Sequence, residues 1–405
     1  MKESTTDTKS SSEGSEENPE AKRKRISNDD LYRRSTQFEI WSYTAESLEA
    51  AKKKANAAGQ IIATKRFNEA FAELKKASPE VFENNKDKLN PESLLNLITF
   101  EEESKYLNYY TPNIIQIAKF FKMPTQVKLT AVSFFKKFYL ENSVMQYHPK
   151  NIMYTCVFLA AKSENYFVSI ESFVKALKGT DAKDILDLEF IILSSLKFTL
   201  LVHHPFRPLY GFFLDFQAVL LHPSPLMYDV SVNTLGTLYD KAKNWLNENA
   251  VLSDVAFLFT PPQIALAAMY DVDKRVTDRY LKRKFLRDHA DKLDDIKEEP
   301  ENGDVKKEEA KVKIEGDKNI DNDAADSTAT KTHGETSDIQ TQREQYETLV
   351  RTIRKCIKVA KQVSKSPQDE VKEIDRKCFF ALNPRKLIEK QVKKIAKEAA
   401  PSEVV

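Results

Sequence analysis

Between Thr125 and Tyr166 the apolar residues fall at helical rather than alternating spacing. Val127, Ala131, Phe134 or Phe135, and Phe138 recur three or four positions apart, the mark of one helix face. After a short polar break, Ile152, Cys156, Leu159, Ala160 and Ser163 make a second face of small and aliphatic groups. Both helices are apolar over most of their circumference, so no single neighbour can cover them. They are expected at the centre of an all-helical domain.

The same spacing places helices elsewhere. Tyr32 to Tyr43 is dense in aromatics (Tyr32, Phe38, Trp41, Tyr43) and should dock on a surface. Thr44 can cap a helix through Leu48, Ala51 and Ala55, with Gly59 as its expected stop. A separate piece carries Phe67, Phe71 and Leu74. Thr99 and Glu102 form a capping-box pattern opening a helix through Tyr106, Tyr109 and Tyr110. Pro112 falls within it, and a kink or a restart capped by Thr111 is expected, because proline removes a helical hydrogen bond.

Ser169 to Leu177 reads as a short helix stopped by Gly179, and Asp184 to Leu196 as another with Ile185, Leu188, Ile192 and Leu196 inward. Pro205 and Pro208 mark a linker to a second helical domain. It runs through Phe212–Leu221, Leu235–Leu246, Val251–Phe259, Ile264–Tyr270 and Val276–Phe285. Two further helical patterns follow, Tyr346 to Ala360 and Ile388 to Ala399, either packed back or left as a free basic amphipathic arm.

Composition sharpens the boundaries. At 405 residues, about two or three domains are expected. Only Gly179, Gly211 and Gly236 fall between residues 60 and 287, too few for the turns of a sheet-rich domain. Residues 1 to 20 are Ser, Thr and Glu with almost nothing to bury, which implies a disordered tail. Residues 288–340 carry 8 basic and 17 acidic residues and no aromatic, the composition of a solvated acidic linker. Residues 341–400 reverse the sign, with 16 basic and 8 acidic. The net charge of +2 gives no global indication of nucleic-acid binding. With no secretory signal and no apolar run near the ~18 residues of a membrane span, a soluble intracellular protein is expected.

Candidate chemistry is sparse. The chain shows no phosphate-cradling glycine loop, nucleophile elbow or metalloprotease histidine pair. Cys156, Cys356 and Cys378 have neither disulfide nor zinc spacing. His203 and His204 are adjacent and read as structural. No catalytic residue, cofactor or metal is expected. Lys162, at the end of an apolar helix, and Glu189, within Leu188-Glu189-Phe190-Ile191-Ile192, stand out by position. On the residues alone, a snorkelling lysine and a polar helix stripe are the favoured account of them.

Ala131-Val132-Ser133-Phe134-Phe135-Lys136-Lys137-Phe138 resembles the central helix of the cyclin box. Phe158-Leu159-Ala160-Ala161-Lys162-Ser163-Glu164 resembles the next box helix, and Leu188-Glu189-Phe190 with Ser195-Leu196-Lys197-Phe198 the fifth. Within the cyclins the resemblance is to the cyclin H type. It is carried by Phe138 to Met145, by Val202-His203-His204-Pro205-Phe206-Arg207-Pro208, and by Phe259 to Leu266.

The resemblance implies two tandem five-helix cyclin boxes, at 98–203 and 204–287. They follow a disordered tail (1–30) and an amino-terminal segment and helix (31–97), and precede the linker (288–340) and carboxy-terminal helices (341–400). In such relatives a carboxy-terminal helix packs near the amino-terminal one. The implied function is a regulatory subunit that binds and activates a cyclin-dependent kinase of the TFIIH module, supporting phosphorylation of the RNA polymerase II tail. A RING-finger assembly subunit and the TFIIH core are further implied partners, with no direct nucleic acid and no membrane. Lys162, Glu189, Phe135 and Tyr139 are the implied kinase-binding residues. Lys22-Arg23-Lys24-Arg25 becomes a candidate nuclear-import signal. The alternatives are a transcriptional cyclin of the C, K or T kind and a cyclin-fold DNA-binding general transcription factor. The methionine-arginine-x-x-leucine docking motif of cell-cycle cyclins is absent from the first box helix.

Overall fold

The computed structural model describes residues 32–85, 89–177, 179–221, 230–286, 329–363 and 367–399. The amino-terminal tail, its basic run and the acidic stretch up to residue 328 lie outside them. Among the described residues every regular element is a helix.

Two helices come first, α1 (Thr36–Trp41) and α2 (Ala45–Ala77). The first bundle then follows as α3 (Phe100–Phe120), α4 (Thr125–Glu141), α5 (Pro149–Ser163), α6 (Ile170–Ala176) and α7 (Ala182–Ser195). α4 buries residues on every side, among them Val127, Ala131, Phe134, Phe135 and Phe138. α5 packs along it and buries Ile152, Cys156, Leu159 and Ala160, a face of small and aliphatic groups. α2, α3 and α7 wrap the remaining sides. The expected central pair is therefore the core of this domain.

α3 runs unbroken across Pro112 instead of restarting. Proline leaves the carbonyl four residues back without its helical donor. One position earlier, the Thr111 hydroxyl donates to the Leu107 carbonyl at 2.9 Å.

The second bundle comprises α8 (Phe206–Leu220), α9 (Val232–Trp245), α10 (Pro261–Val272), α11 (Lys274–Phe285) and α12 (Ala329–Lys361). Here α10 is the all-round apolar helix, with Ile264, Ala265, Leu266, Ala267, Ala268 and Met269 all buried. The expected helix from Val251 to Phe259 shrinks to Val255–Leu258. It is too short to cover a flank of α10. That cover comes from α12, which buries Val350, Ile353, Cys356 and Ala360 in the same core. The second domain thus does not end near residue 287 as read from the sequence. It closes only with a helix that begins at Ala329, within the stretch assigned to the linker.

The carboxy-terminal segment returns to the first domain. α13 (Gln368–Leu382) places Val371, Ile374, Cys378 and Ala381 in its core. α14 (Pro384–Ala399) lays Ile388 and Ile395 against Phe67, Phe82 and Leu89, beside α2. Neither helical pattern is a free arm.

α2 itself is one helix, capped by Thr44 and Ser47, and not two pieces parted at Gly59. Gly59 serves close approach instead of termination. A Cβ there would lie 2.3 Å from the Ser143 Cβ, so only glycine lets α2 settle on the loop after α4. Two polar contacts fix the same seam. Asn56 donates to Glu103 at 2.5 Å, and the Val144 N–H donates to the other Glu103 oxygen at 2.6 Å. The aromatic-rich segment docks as expected, with Trp41 buried and its Nε1 donating to the Thr199 hydroxyl at 2.8 Å. α1 also touches the interdomain linker, where the Gln37 amide and the His203 backbone exchange hydrogen bonds.

Gly59→Ala should cost about 1–3 kcal/mol in denaturant unfolding, because overpacking forces a backbone shift. Gly236→Ala, where an added Cβ meets nothing within 4 Å in a helix interior, should instead stabilise by about 0.5–1 kcal/mol. Equal effects would contradict the close-approach role. Ile353→Asp should unfold the second domain, seen as loss of protection in α10 by hydrogen exchange. An unchanged α10 would mean that α12 is peripheral.

Candidate functional site

The carboxy-terminal turn of α5 and the middle of α7 lie side by side, and each presents one charge to the other. Lys162 Nζ donates to both carboxylate oxygens of Glu189, at 2.7 and 2.9 Å. The glutamate is the more sheltered partner, with its side chain 17% exposed against 49% for the lysine. The ammonium also lies 4.7 Å from the centre of the Phe158 ring, a cation–π contact within the same helix. The two residues singled out by position thus form one ion pair, fixed on rigid elements.

Glu164, two residues on, is held separately. It accepts from the Thr130 hydroxyl and from the Gln126 amide, both at 2.6 Å. These bonds tie the end of α5 to the start of α4.

Beside the ion pair the surface is apolar. Phe190 is 68% exposed and Phe198 62% exposed, with ring centroids 6.2 Å apart. Leu186, one turn before Phe190, and Leu201 are exposed as well. Clustered exposed aromatics of this size mark interaction surfaces more often than random scatter does. The backbone adds a second sign. Lys197 and Phe198 have φ of 52° and 55°, a left-handed conformation that costs a non-glycine residue roughly 1–2 kcal/mol. The Phe198 N–H reaches back to the Leu193 carbonyl, and Lys197 pairs with Glu141 at 2.8 Å. Strain held in place around an exposed aromatic points to use.

Phe135 and Tyr139 are not part of this face. They are 1% and 5% exposed and belong to the first core. They line a cleft of about 250 Å³ with Lys52, Glu103 and Asp254. The Tyr139 hydroxyl donates inward to the Tyr147 carbonyl at 2.9 Å. In the free chain their side chains are occupied with packing. Phe190 and Phe198, not chosen from the sequence, take the exposed role. Their signal was present: Leu186 and Phe190 sit four apart, off the inward face of Ile185, Leu188 and Ile192.

The histidines beside the interdomain linker are enclosed. His204 lies 2.9 Å from the Thr130 hydroxyl, and burial, aided by Lys137 and His203, pulls its pKa down to about 4. Among the described residues no cluster of His, Cys, Asp and Glu could hold a metal ion, and no helix is long and apolar enough to cross a membrane.

Comparison with known proteins agrees with this architecture. A family model for the cyclin N-terminal domain matches residues 81–201, and one for the cyclin C-terminal domain matches residues 204–361. The second match extends across the acidic stretch to the end of α12, as the packing requires. Cyclin CCL1 of Saccharomyces cerevisiae is 42% identical over 262 residues, 65% of this chain and 63% of that protein. Cyclin mcs2 of Schizosaccharomyces pombe is 37% identical over 258 residues, 64% of this chain and 74% of that protein. Cyclin-H of Xenopus laevis is 37% identical over 182 residues, 43% of this chain and 53% of that protein. Less than two thirds of CCL1 and of the frog protein is therefore spanned. A chain in the structure of the Chaetomium thermophilum CAK complex bound to ATP-gamma-S shares the fold. The TM-score is 0.61 at 23% identity, covering 94% of this chain and 98% of that one. The chain belongs to the cyclin family, and its likeness is to the cyclin H type.

Proposed function

We propose that this chain is the regulatory, non-catalytic cyclin subunit of a cyclin-dependent kinase of the TFIIH kinase module. The observation that carries the reading is the face itself. A fixed Lys162–Glu189 pair on α5 and α7 stands next to Phe190 on α7 and Phe198 in the turn after it, both exposed. The cyclin resemblance implies that α4, α5 and α7 are the helices that meet the kinase. An apolar surface with one structured charge pair suits a partner that buries the aromatics and satisfies the charges.

Binding there would hold the kinase's mobile helix inward, so that its glutamate pairs with the strand lysine that grips the ATP phosphates. The cyclin acts by binding the active arrangement better than the inactive one, which shifts the population between them. The reading extends to a RING-finger assembly subunit and the TFIIH core as partners. Its output would be phosphorylation of the RNA polymerase II tail during transcription initiation, in the nucleus, with Lys22 to Arg25 as the import signal. Phe135 and Tyr139 would support the grip from within, by holding α4 in place.

Co-purification with the kinase and an assay on a polymerase-tail peptide test this directly. Lys162→Ala/Glu189→Ala should weaken recovery of active kinase by ~30-fold, the effect of losing about 2 kcal/mol at a desolvated charge pair. The free variant should unfold within about 1 kcal/mol of the parent, because an exposed pair adds little. Equal recovery by parent and variant would place the kinase elsewhere. Phe198→Gly separates binding from folding. It should stabilise the free chain by about 1 kcal/mol by relieving the left-handed strain, yet weaken kinase recovery. A variant that gains stability and keeps full recovery would remove Phe198 from the interface.

A further inference from the structure

A second site lies at the seam of the two boxes, where α1, the linker through Pro205, the segment around Ser253 and the start of α10 meet α4. They enclose a cavity of about 60 Å³ on which Lys136, Lys137, His203 and His204 converge. Lys136 is satisfied, since it donates to the Ser253 carbonyl and has Asp254 nearby. Lys137 is not. It is 2% exposed, and its Nζ has no hydrogen-bond partner among the described residues. It sits 5.2 Å from the centre of the Trp41 ring, which attracts an ammonium but accepts none of its protons in the way an oxygen does. His203 Nε2 is likewise buried without a partner.

The charged groups around the seam leave this imbalance in place. Lys197, on the same Trp41 ring, is neutralised by Glu141. Glu164 is taken up by Thr130 and Gln126. Burial pulls the Lys137 ammonium down to about 8; burial also lowers both histidines, aided by Arg207 and Lys137 at His203 and by Lys137 at His204. Buried charges in folded proteins are paired or lose their charge, and buried donors are satisfied. The partner that this arrangement fits is an anion. The cavity has room for roughly four waters, the size of one tetrahedral oxyanion.

We propose that the seam is an oxyanion-binding site, taking inorganic phosphate or the phosphate group of a small molecule, with Lys137 as counter-cation and His203 as a second donor. An anion there would bridge α1, the first box and the linker to the second. The site is separate from the face of α5 and α7 and stands or falls independently of the kinase reading.

Trp41 is a built-in reporter, because the chain has two tryptophans and Trp245 can be removed conservatively. In the full chain carrying Trp245→Phe, Trp41 fluorescence is titrated with phosphate against chloride at equal ionic strength. The site predicts a saturable change with phosphate alone. Lys137→Met in that background should weaken it at least tenfold with helix content unchanged, and His203→Gln at least threefold. If Lys137→Met loses helix content, His203→Gln carries the comparison. Titration with phosphoserine distinguishes the source: tighter binding than phosphate assigns a phosphorylated small molecule, weaker binding the free ion. A response absent in the parent, or unchanged from the parent in both variants, overturns the proposal and leaves Lys137 as a cation–π contact only.

Discussion

The fold depends on two helices that are apolar over most of their circumference. A helix with one apolar stripe needs one neighbour, whereas α4 and α10 need cover on every side. That demand exceeds what adjacent segments supply, so the chain recruits from a distance. α2 and α13 close the first bundle from opposite ends of the sequence. α12 closes the second after a stretch of more than forty residues that carries little to bury. Loop closure grows only slowly with length, so such an insertion is cheap compared with leaving α10 open.

Tight cover inside explains what is left outside. With Ile185, Ile192 and Leu196 spent on the core, α7 turns Glu189 from the edge of that face toward Lys162 and leaves Phe190 exposed on the far side. The left-handed turn at Lys197 and Phe198 keeps a second aromatic beside them. A chain optimised only for its own stability would place a glycine and a polar residue there. The strain and the exposed rings together support the proposal that this surface meets a partner.

Much of this was legible in the sequence, and the gaps have physical causes. The central pair, the Thr44 and Thr99 caps and the docking of Trp41 follow from periodicity and side-chain chemistry, which are local. Gly59 read as a stop because glycine ends helices, but its role lies in Ser143, eighty-four residues away, and only the fold brings them together. α12 was assigned outside the second domain because an acidic stretch is a good boundary signal. Whether a core is already closed cannot be read from composition. Lys162 and Glu189 stood out by position and by the resemblance, but that they pair with each other follows only from the packing of α5 against α7. Phe190 escaped notice because an apolar residue on an apolar helix looks like core until the inward face is known.

The central claim is that the kinase is gripped at the face of Lys162, Glu189, Phe190 and Phe198. Hydrogen exchange on the chain alone and in complex with its kinase tests it most directly. The account predicts new protection in α7 and in the turn through Leu201, with α12 unchanged. Protection confined to the second box, leaving α7 as mobile as in the free chain, would contradict it.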